Sequence, residues 1–232
     1  SETMHLTLEE NEMLSGSQGQ ATQKAMQILV ALGDIYGAER MIQVSSVQIA
    51  GVSFDNLGDA GLQFLSAMAN GGGRARVLTT LTPAGMDIEN WLALGIQPEF
   101  AEKQQRVLEA FSRMGVTTTC TCTPYLIGNL PHYAEHIAWS ESSAVCYANS
   151  IIGARTNREG GPSALASALT GLTPEYGFHL SENRIPSLTI QVTARLLENS
   201  DFGALGKVIG ELIQSSKAIP YILGVQSATL EN

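Results

Sequence analysis

The sequence predicts an α/β fold in which a mostly parallel sheet is flanked by helices. Helical and strand patterns alternate along the chain, which is the order that builds parallel sheets through helical crossovers. Apolar residues make up 44% of the 232 residues, charged residues make up 15%, and 23 glycines are present, as in compact enzyme domains. We therefore expect one large domain with satellite elements, whose site lies at the carboxyl ends of the strands.

The first eighty or so residues predict, in order, two helices, a strand, a helix and a second strand. Thr7 with Glu10 three residues later predicts a capped short helix that ends near Gly16. Apolar residues at steps of three and four predict a helix over residues 21–36, which Gly37 ends. The other segments of this part are a β-branched strand region over residues 40–52, a helix over 57–70 and a strand over 75–81.

The remaining elements continue the alternation. The stretch TTCTCTPYL, residues 118–126, follows a predicted strand and so falls at a strand's carboxyl end. Pro162 is expected in the first turn of a helix. The predicted segments are helices over residues 86–94, 98–114, 142–153, 162–170 and 203–214, and strands over residues 116–121, 188–196 and 221–225.

The charge and hydropathy of the chain exclude two classes of partner. The formal net charge is −9, and no basic stripe is present to neutralise a phosphate backbone, so nucleic acid is not expected as a partner. No run approaches the ~18 uninterrupted apolar residues that a bilayer span requires, and no secretory leader is recognisable near the start. We therefore expect no membrane association and a cytoplasmic protein.

Cys120 and Cys122 are two of the chain's three cysteines and lie two positions apart. An odd number of cysteines disfavours a disulfide framework, which leaves free thiols or metal ligation. One of the two thiols is expected to point inward and the other toward the site. The alternative is that they are small hydrophobes packed at a strand end. Cys146, inside a predicted helix, is expected to pack rather than ligate, and no zinc-type spacing occurs.

Arginines and glycines precede one predicted helix and form a candidate anion site. Arg155 and Arg158 come shortly before Gly160 and Gly161. Backbone N–H groups at a helix start bind anions, glycines allow close approach, and arginine clamps a carboxylate or phosphate. The alternative is that the glycines only make a turn and the arginines pair with surface carboxylates, at Glu135, Glu141 or Glu159.

Two further groups of polar residues are candidates for a site. Ser142 and Ser143 stand at a predicted helix start, where hydroxyls mostly cap the helix. His179 lies near Glu182 and Asn183 in the stretch GFHLSENR, where it could orient a ligand, although a single histidine is more often structural. No G-x-S-x-G, P-loop or G-x-G-x-x-G motif is present, which disfavours kinase and dinucleotide chemistry.

Four long motifs, in order, give the chain a family resemblance. They are CTCTPYL at residues 120–126, HIAWSESSAVCYANS at 136–150, GARTNREGGPSAL at 153–165 and YGFHLSENR at 176–184. Together with LTLEENEMLSG near the start and TTLTPAGMD at 79–87 they resemble the aconitase X family. The resemblance extends from about Met4 to the end, and it implies an aconitase-like layered fold with a mostly parallel sheet.

The resemblance implies a hydro-lyase in which an iron–sulfur cluster acts as Lewis acid on a departing hydroxyl. Family members dehydrate mevalonate 5-phosphate, as two-subunit enzymes, or cis-3-hydroxy-L-proline. SSVQIAG and TTLTPAGMD look more like the two-subunit branch, so mevalonate 5-phosphate is the expected substrate and cis-3-hydroxy-L-proline the alternative. Thr82 stands where asparagine is expected in much of the family, which bears on how the substrate is placed. A cluster-free anion-binding or assembly module is the non-enzymatic alternative.

The resemblance also implies roles for individual residues. Cys122 is the implied cluster ligand. The catalytic base is expected, by analogy with aconitase, among the serines Ser46, Ser142 and Ser143. The substrate's carboxylate or phosphate is expected at a set of polar residues and glycines, namely Arg155, Asn157, Arg158, Gly160, Gly161, His179 and Asn183.

The family's remaining cluster cysteines lie farther along the large subunit than residue 232. Residues 4–232 are therefore expected to be the N-terminal portion of an aconitase X catalytic domain, and residues 1–3 a remnant ahead of a natural start at Met4. The expected partners are a small hydroxy acid, the small subunit and the missing C-terminal part of the large subunit. The isolated chain is expected to be inactive.

Overall fold

The structure is a computed structural model that describes residues 4–213 and 218–225. The chain divides into two compact units, Ser1–His179 and Leu180–Asn232. The first unit contains α1 (Leu8–Ser15), α2 (Gln20–Tyr36), β1 (Met41–Gln43), β2 (Ser46–Ile49), α3 (Phe54–Asn70), β3 (Leu78–Leu81), α4 (Pro98–Arg113), β4 (Ala138–Trp139), α5 (Ser142–Tyr147), a π-helical segment (Ala148–Ile152), α6 (Gly161–Thr170) and β5 (Leu172–Pro174).

A three-stranded parallel sheet in the order β3-β2-β4 organises the first unit. Gln48 on the central strand β2 is the register partner of Thr80 on β3 and of Trp139 on β4. Single parallel bridges extend the sheet at both edges, from Thr80 to Thr117 and from Trp139 to Arg158. The predicted mostly parallel sheet is therefore confirmed, and the only antiparallel pair of named strands among the described residues is β1 with β5.

Helices α2 and α6 form the centre of the core beneath this sheet. Every residue of α6 from Ser163 to Thr170 is buried, and α6 packs along α2, where Ala25, Met26 and Leu29 are fully buried. The small side chains of the sequence GPSALASALT let the two helices approach closely. α6 is therefore enclosed on all sides, and its buried polar residues are the small Ser163, Ser167 and Thr170.

The boundaries of α1 follow from local chemistry that the sequence already indicates. The hydroxyl of Thr7 accepts from the N–H of Glu10, and the Glu10 carboxylate accepts from the N–H of Thr7 at 2.8 Å. Gly16 ends the helix in the left-handed region, with φ of +91°. The predicted capping box and stop are both confirmed.

Two predicted elements of the first unit are wrong. Residues 86–94 form turns instead of a helix, in which the Asp87 carboxylate accepts from the N–H groups of Glu89 and Asn90 at 2.9 and 2.7 Å. Residues 116–121 are not a continuous strand: Thr117 alone pairs with β3, and Cys120 adopts a left-handed φ of +52°. A left-handed residue cannot continue a strand.

The second unit contains β6 (Leu188–Gln191), α7 (Asn199–Ile213) and β7 (Pro220–Leu223), and β6 pairs with β7 in parallel. Strand β6 ends five residues earlier than the predicted segment over residues 188–196, which is wrong in its extent. The predicted helix end at residue 214 and the remnant at residues 1–3 lie outside the described residues. Among the helices in the described ranges, none is long and apolar enough to cross a membrane.

Candidate active site

The loop that carries Cys122 lies at the carboxyl edge of the parallel sheet. The N–H of Thr121 donates to the carbonyl of Leu81, the last residue of β3, at 3.1 Å. A short 3-10 turn, Pro124–Leu126, follows at once. Cys122 is half-buried, and the Glu141 carboxylate after β4 is close enough to influence its thiol. The cysteine loop therefore meets the end of β4 at this edge, as its position after a strand segment predicts.

The two neighbouring thiols have different surroundings. The left-handed backbone at Cys120 turns the loop before Cys122, and Cys120 packs against the main apolar core. Burial raises the pKa of the Cys120 thiol. Burial also raises the pKa of the Cys122 thiol, and the negative charge of Glu141 raises it further. Without a bound metal, both groups are therefore thiols at neutral pH.

Ser142 and Ser143 are exposed at the start of α5 on the same edge. Neither hydroxyl caps the helix, because the N-cap residue is Glu141 and no side-chain cap bond forms there. The Ser142 hydroxyl donates instead to Glu141 Oε1 at 3.2 Å. The preferred interpretation of these serines as caps is therefore wrong, and Ser142 is a hydroxyl held by a carboxylate.

Arg158, Gly160 and Gly161 also reach the carboxyl edge. Arg158 pairs with Trp139 at the end of β4 and is exposed. A Cβ on Gly161 would lie 3.2 Å from the carbonyl of Ala50, so glycine lets α6 start close to the end of β2. A residue of α6 itself bonds the backbone at the start of the helix: Gly160 donates its N–H to Ser163 Oγ at 3.1 Å.

Glu159 is a buried carboxyl between Arg158 and the start of α6. Its Oε2 accepts from Ser163 Oγ at 2.6 Å, and its Oε1 has no hydrogen-bond partner within the described residues. Burial raises the pKa of Glu159, which the hydrogen bond from Ser163 only partly offsets. The group is therefore biased toward its neutral form.

Arg155 and His179 lie toward the opposite, amino-terminal edge of the sheet. Arg155 pairs with His136, three residues before the partner of Arg158, so the two arginines are separated by roughly 10 Å along extended backbone. Arg155 Nη1 donates to the His179 carbonyl at 2.9 Å. The rings of His136 and His179 meet through their Nδ1 atoms at 3.0 Å. The structure therefore separates this pair from Arg158 and Cys122.

Charged groups around this amino-terminal edge are paired with one another. The Arg40 guanidinium forms a two-point ion pair with Glu175, and the hydrogen bond from Arg40 holds the pKa of Glu175 below its usual range. Burial alone would raise the pKa of Glu135, but hydrogen bonds from Ser45 and His132 outweigh it and lower the pKa. These pairs link charged groups from separate segments at this edge.

The Asn157 side chain is bonded to backbone on both sides. Its Nδ2 donates to the carbonyl of Tyr176 at 3.0 Å, and its Oδ1 accepts from the N–H of Phe178 at 2.8 Å. Gly177 between them has φ of +58°, and a Cβ there would lie 2.2 Å from Asn157 Oδ1. Asn157 thus fixes the turn that leads to His179, and its role in substrate binding stays a prediction.

Two more of the predicted residues are described by the structure, one in each unit. Ser46 is buried at the first position of β2, and its hydroxyl accepts from the Trp139 indole N–H at 3.0 Å. Asn183 is exposed in a 3-10 turn of the second unit, Ser181–Arg184. The catalytic role of Ser46 and the substrate-binding role of Asn183 stay predictions.

Four buried polar residues at the carboxyl half of the sheet were missed by the sequence analysis as site candidates. Each has one side-chain atom without a hydrogen-bond partner in the part of the chain that the structure describes. A polar residue inside an apolar stretch, as in SVQIAG and IAWSES, is the signal that could have found two of them. The four residues are Gln48, Asn129, Ser140 and Glu159.

Metal binding at this edge would need ligands from elsewhere. No group of three or more histidine, cysteine, aspartate or glutamate residues in the described ranges could hold a metal ion. An iron–sulfur cluster is held by several thiolates. The half-buried Cys122 at the sheet edge fits as one such ligand, whereas Cys146 is exposed on α5, so the prediction that Cys146 packs is wrong.

Comparison with known proteins agrees with the fold and gives it a family. A family model described as "Aconitase X first domain" matches residues 3–182. A crystal structure of aconitase X from Thermococcus kodakaraensis, in its holo-form, superposes with a TM-score of 0.85 at 51% identity, over 94% of this chain and 54% of that chain.

Curated relatives of two kinds match most of the chain. The phosphomevalonate dehydratase large subunit of Methanothermobacter thermautotrophicus is 53% identical over 218 residues, which are 94% of this chain and 54% of the relative. The cis-3-hydroxy-L-proline dehydratase of Hypocrea jecorina is 34% identical over 226 residues, 96% of this chain and 37% of the relative. The chain thus spans about half the length of the first kind, to which it is much more similar.

Proposed function

The chain belongs to the aconitase X family, and from that premise we propose that it forms the first domain of the large, catalytic subunit of a mevalonate 5-phosphate dehydratase. The higher identity to a phosphomevalonate dehydratase large subunit than to a hydroxyproline dehydratase supports this choice of substrate. The observation that carries the proposal is the carboxyl edge of the sheet, where Cys122 follows the β3 side and Ser142 and Arg158 lie on the β4 side.

Cys122 would hold an iron–sulfur cluster together with thiolates from the half of the large subunit that this chain does not span. Such a cluster supplies a Lewis acid for a departing hydroxyl. The raised pKa of Cys122 means that the metal must displace the thiol proton. Binding of metal at Cys122 is therefore expected to weaken as pH falls.

Arg158 would bind the negatively charged end of the substrate. Its side chain is exposed at the carboxyl edge, and its guanidinium can clamp a carboxylate or phosphate with two hydrogen bonds. Gly160 and Gly161 beside it leave room for a ligand to approach backbone. Arg155, bonded to the His179 carbonyl, would act on the shape of this segment instead.

Ser142 would handle the proton that leaves carbon. Its hydroxyl donates to Glu141 Oε1, so Glu141 can take the serine proton as the serine oxygen takes the proton from carbon. The electron pair of the broken C–H bond then forms the double bond while the hydroxyl leaves. A serine needs such a neighbouring acceptor to act as a base. Within the described residues, neither Ser143 nor Ser46 has a carboxylate partner, so both rank behind Ser142.

The partners in this proposal are the rest of the large subunit and a small subunit. The relative's name specifies a large subunit, and this chain spans 54% of it. We propose the cytoplasm as the location of the complex, since metabolic dehydratases of this kind act on soluble phosphorylated acids.

The test uses the full-length large subunit, co-purified with its small subunit and loaded anaerobically with iron and sulfide. Wild-type enzyme should dehydrate mevalonate 5-phosphate, and Cys122→Ser should abolish turnover and reduce bound iron. Cys146→Ser, an exposed cysteine on α5, is the matched control and should keep both. Turnover of cis-3-hydroxy-L-proline alone would move the substrate to the second kind of relative, and full iron content in Cys122→Ser would remove Cys122 as a ligand.

A further inference from the structure

Gln48 is a buried amide on the central strand whose hydrogen bonds are only half made. It is 0% exposed. Its Oε1 accepts from the N–H of Glu141 at 3.2 Å, and its Nε2 has no partner within residues 4–213 and 218–225. Because a backbone N–H can only donate, the orientation of the amide is fixed by Glu141. The remaining atom, Nε2, is therefore a hydrogen-bond donor without an acceptor.

Asn129 presents the complementary case. It is 2% exposed, and its Nδ2 donates to the carbonyl of Val47 at 3.4 Å and to Thr80 Oγ1 at 3.1 Å. Because a backbone carbonyl can only accept, Nδ2 is fixed in its place. Asn129 Oδ1 is then an acceptor, and no donor reaches it from the described part of the chain.

The two amides lie on the same face of the sheet. Thr80 is the register partner of Gln48, and partnered residues of neighbouring strands project to the same face. The bond from Asn129 to Thr80 places Asn129 on that face as well. The N–H of Asn129 donates to the Pro124 carbonyl, two residues after Cys122. Within the described residues, an unpartnered donor and an unpartnered acceptor therefore lie on one face of the sheet, both linked to Thr80.

We propose that Gln48 and Asn129 together bind one neutral hydroxyl group, which accepts from Gln48 Nε2 and donates to Asn129 Oδ1. A carboxylate or phosphate oxygen has no proton to give Asn129, and an ammonium group has no lone pair for Gln48. A hydroxyl has both, and it removes the cost of two unpaired buried polar groups. The preference of this site is thus opposite to that of the anion site at Arg158.

Two sources can supply such a group: an ordered water, or the alcohol of a hydroxy acid. The first does not depend on the reaction. The second rests on the proposed function, since a dehydratase substrate carries the hydroxyl that is removed. Both sources share the same geometry at Gln48 and Asn129.

The first experiment is a pair of high-resolution crystal structures of the full-length large subunit with its small subunit, without and with mevalonate 5-phosphate. An oxygen atom within hydrogen-bond distance of both Gln48 Nε2 and Asn129 Oδ1 is expected. Its persistence as a separate atom with substrate bound identifies water, and its replacement by the substrate's hydroxyl identifies the alcohol. A direct Gln48–Asn129 hydrogen bond, or no atom between them, overturns the proposal.

The second experiment measures steady-state kinetics and thermal unfolding of Gln48→Met, which keeps length but removes the donor. If the substrate's alcohol binds, KM rises about tenfold, the size of one lost hydrogen bond. If water binds, KM stays at the wild-type value and Tm falls. A Gln48→Met enzyme with wild-type KM and wild-type Tm contradicts both.

Thr173→Val is the matched control. Thr173 is fully buried on β5, and its hydroxyl also lacks a partner among the described residues, but it lies on the antiparallel pair β1–β5. It should leave KM unchanged. Failure of wild-type turnover with the bridging oxygen still present would remove the proposed function while the hydroxyl site stands.

Discussion

The two edges of the central sheet differ in how completely their polar groups are bonded. At the amino-terminal edge, Arg40 pairs with Glu175, and His136 meets His179. Across the carboxyl half, buried atoms of Gln48, Asn129, Ser140 and Glu159 lack partners within the described residues. Satisfied polar networks hold a structure together, whereas unpaired buried groups call for a ligand. The proposed chemistry therefore lies at the carboxyl edge, whereas the charged pairs at the amino-terminal edge stabilise the fold.

The largest effect is expected at the amino-terminal edge, from Asn157→Leu. The substitution removes two hydrogen bonds to backbone, at Tyr176 and Phe178, and leaves a buried donor and acceptor unpaired. The free energy of unfolding should fall by about 2–4 kcal/mol, measured by urea denaturation of the full-length large subunit. Asn157→Asp, which keeps Oδ1 as acceptor, should lose about half as much. If Asn157→Leu raised KM at unchanged stability, Asn157 would belong to the substrate site.

The two arginines sharpen the comparison directly. Arg158→Gln should raise KM for mevalonate 5-phosphate by about tenfold or more, since a charged hydrogen bond to an anion is lost, with little change in Tm. Arg155→Gln should do the reverse, lowering Tm with little change in KM, because Arg155 holds the His179 carbonyl. The test is to measure KM and Tm on the same preparations of the two variants. Equal effects of both substitutions on KM would remove the division between edges.

Glu159 gives a pH test of the carboxyl edge. Burial raises its pKa in the folded state, so between the unfolded and the folded pKa the folded protein binds the extra proton. Stability is therefore greatest below the unfolded pKa and declines as pH rises toward the folded pKa. Glu159→Gln, which imitates the neutral acid, should remove this share of the decline. The measurement is Tm over a pH series for the wild type and for Glu159→Gln. Parallel curves for the two proteins would contradict the assigned role of Glu159.

The smallest effect is expected from the exposed ion pair of Arg40 with Glu175. The pKa of Glu175 is lowered in the folded state, so the pair stabilises above the unfolded pKa and loses that contribution as pH falls through the folded pKa. Arg40→Gln should lower Tm only slightly near neutral pH, and not at all in acid. A large fall in Tm, or one that persists in acid, would show that Arg40 has another role.

Local patterns were enough to predict most elements of the first unit. Thr7 and Glu10 fixed the start of α1, and the apolar spacing of residues 21–36 matched α2 (Gln20–Tyr36). The segment at residues 86–94 was wrong: it forms turns that begin at the Asp87 carboxylate. An acidic residue that bonds the N–H groups two and three positions later occurs both in turns and at helix starts, so the sequence pattern does not separate the two.

The site was harder to predict, because it depends on which residues pairing brings to one edge. The motif that contains Arg155, Asn157 and Arg158 looks like one anion site in sequence, yet extended backbone sends alternate side chains to different neighbours and spreads the arginines along the sheet. Gln48 and Asn129 lie 81 positions apart, and only the register of β2 with β3 and the bond from Asn129 to Thr80 place them on one face of the sheet.

The pairing of β1 with β5 and of α2 with α6 constrains how the protein is made on the ribosome. Met41 cannot pair until Pro174 has been synthesised. The buried face of α2 likewise has no packing partner until residues 161–170 have been synthesised. A nascent chain that has emerged only as far as α4 has no partner for either surface. Chains with contacts this distant fold slowly and expose apolar surface meanwhile. Early translation intermediates should therefore be the stage most dependent on chaperones.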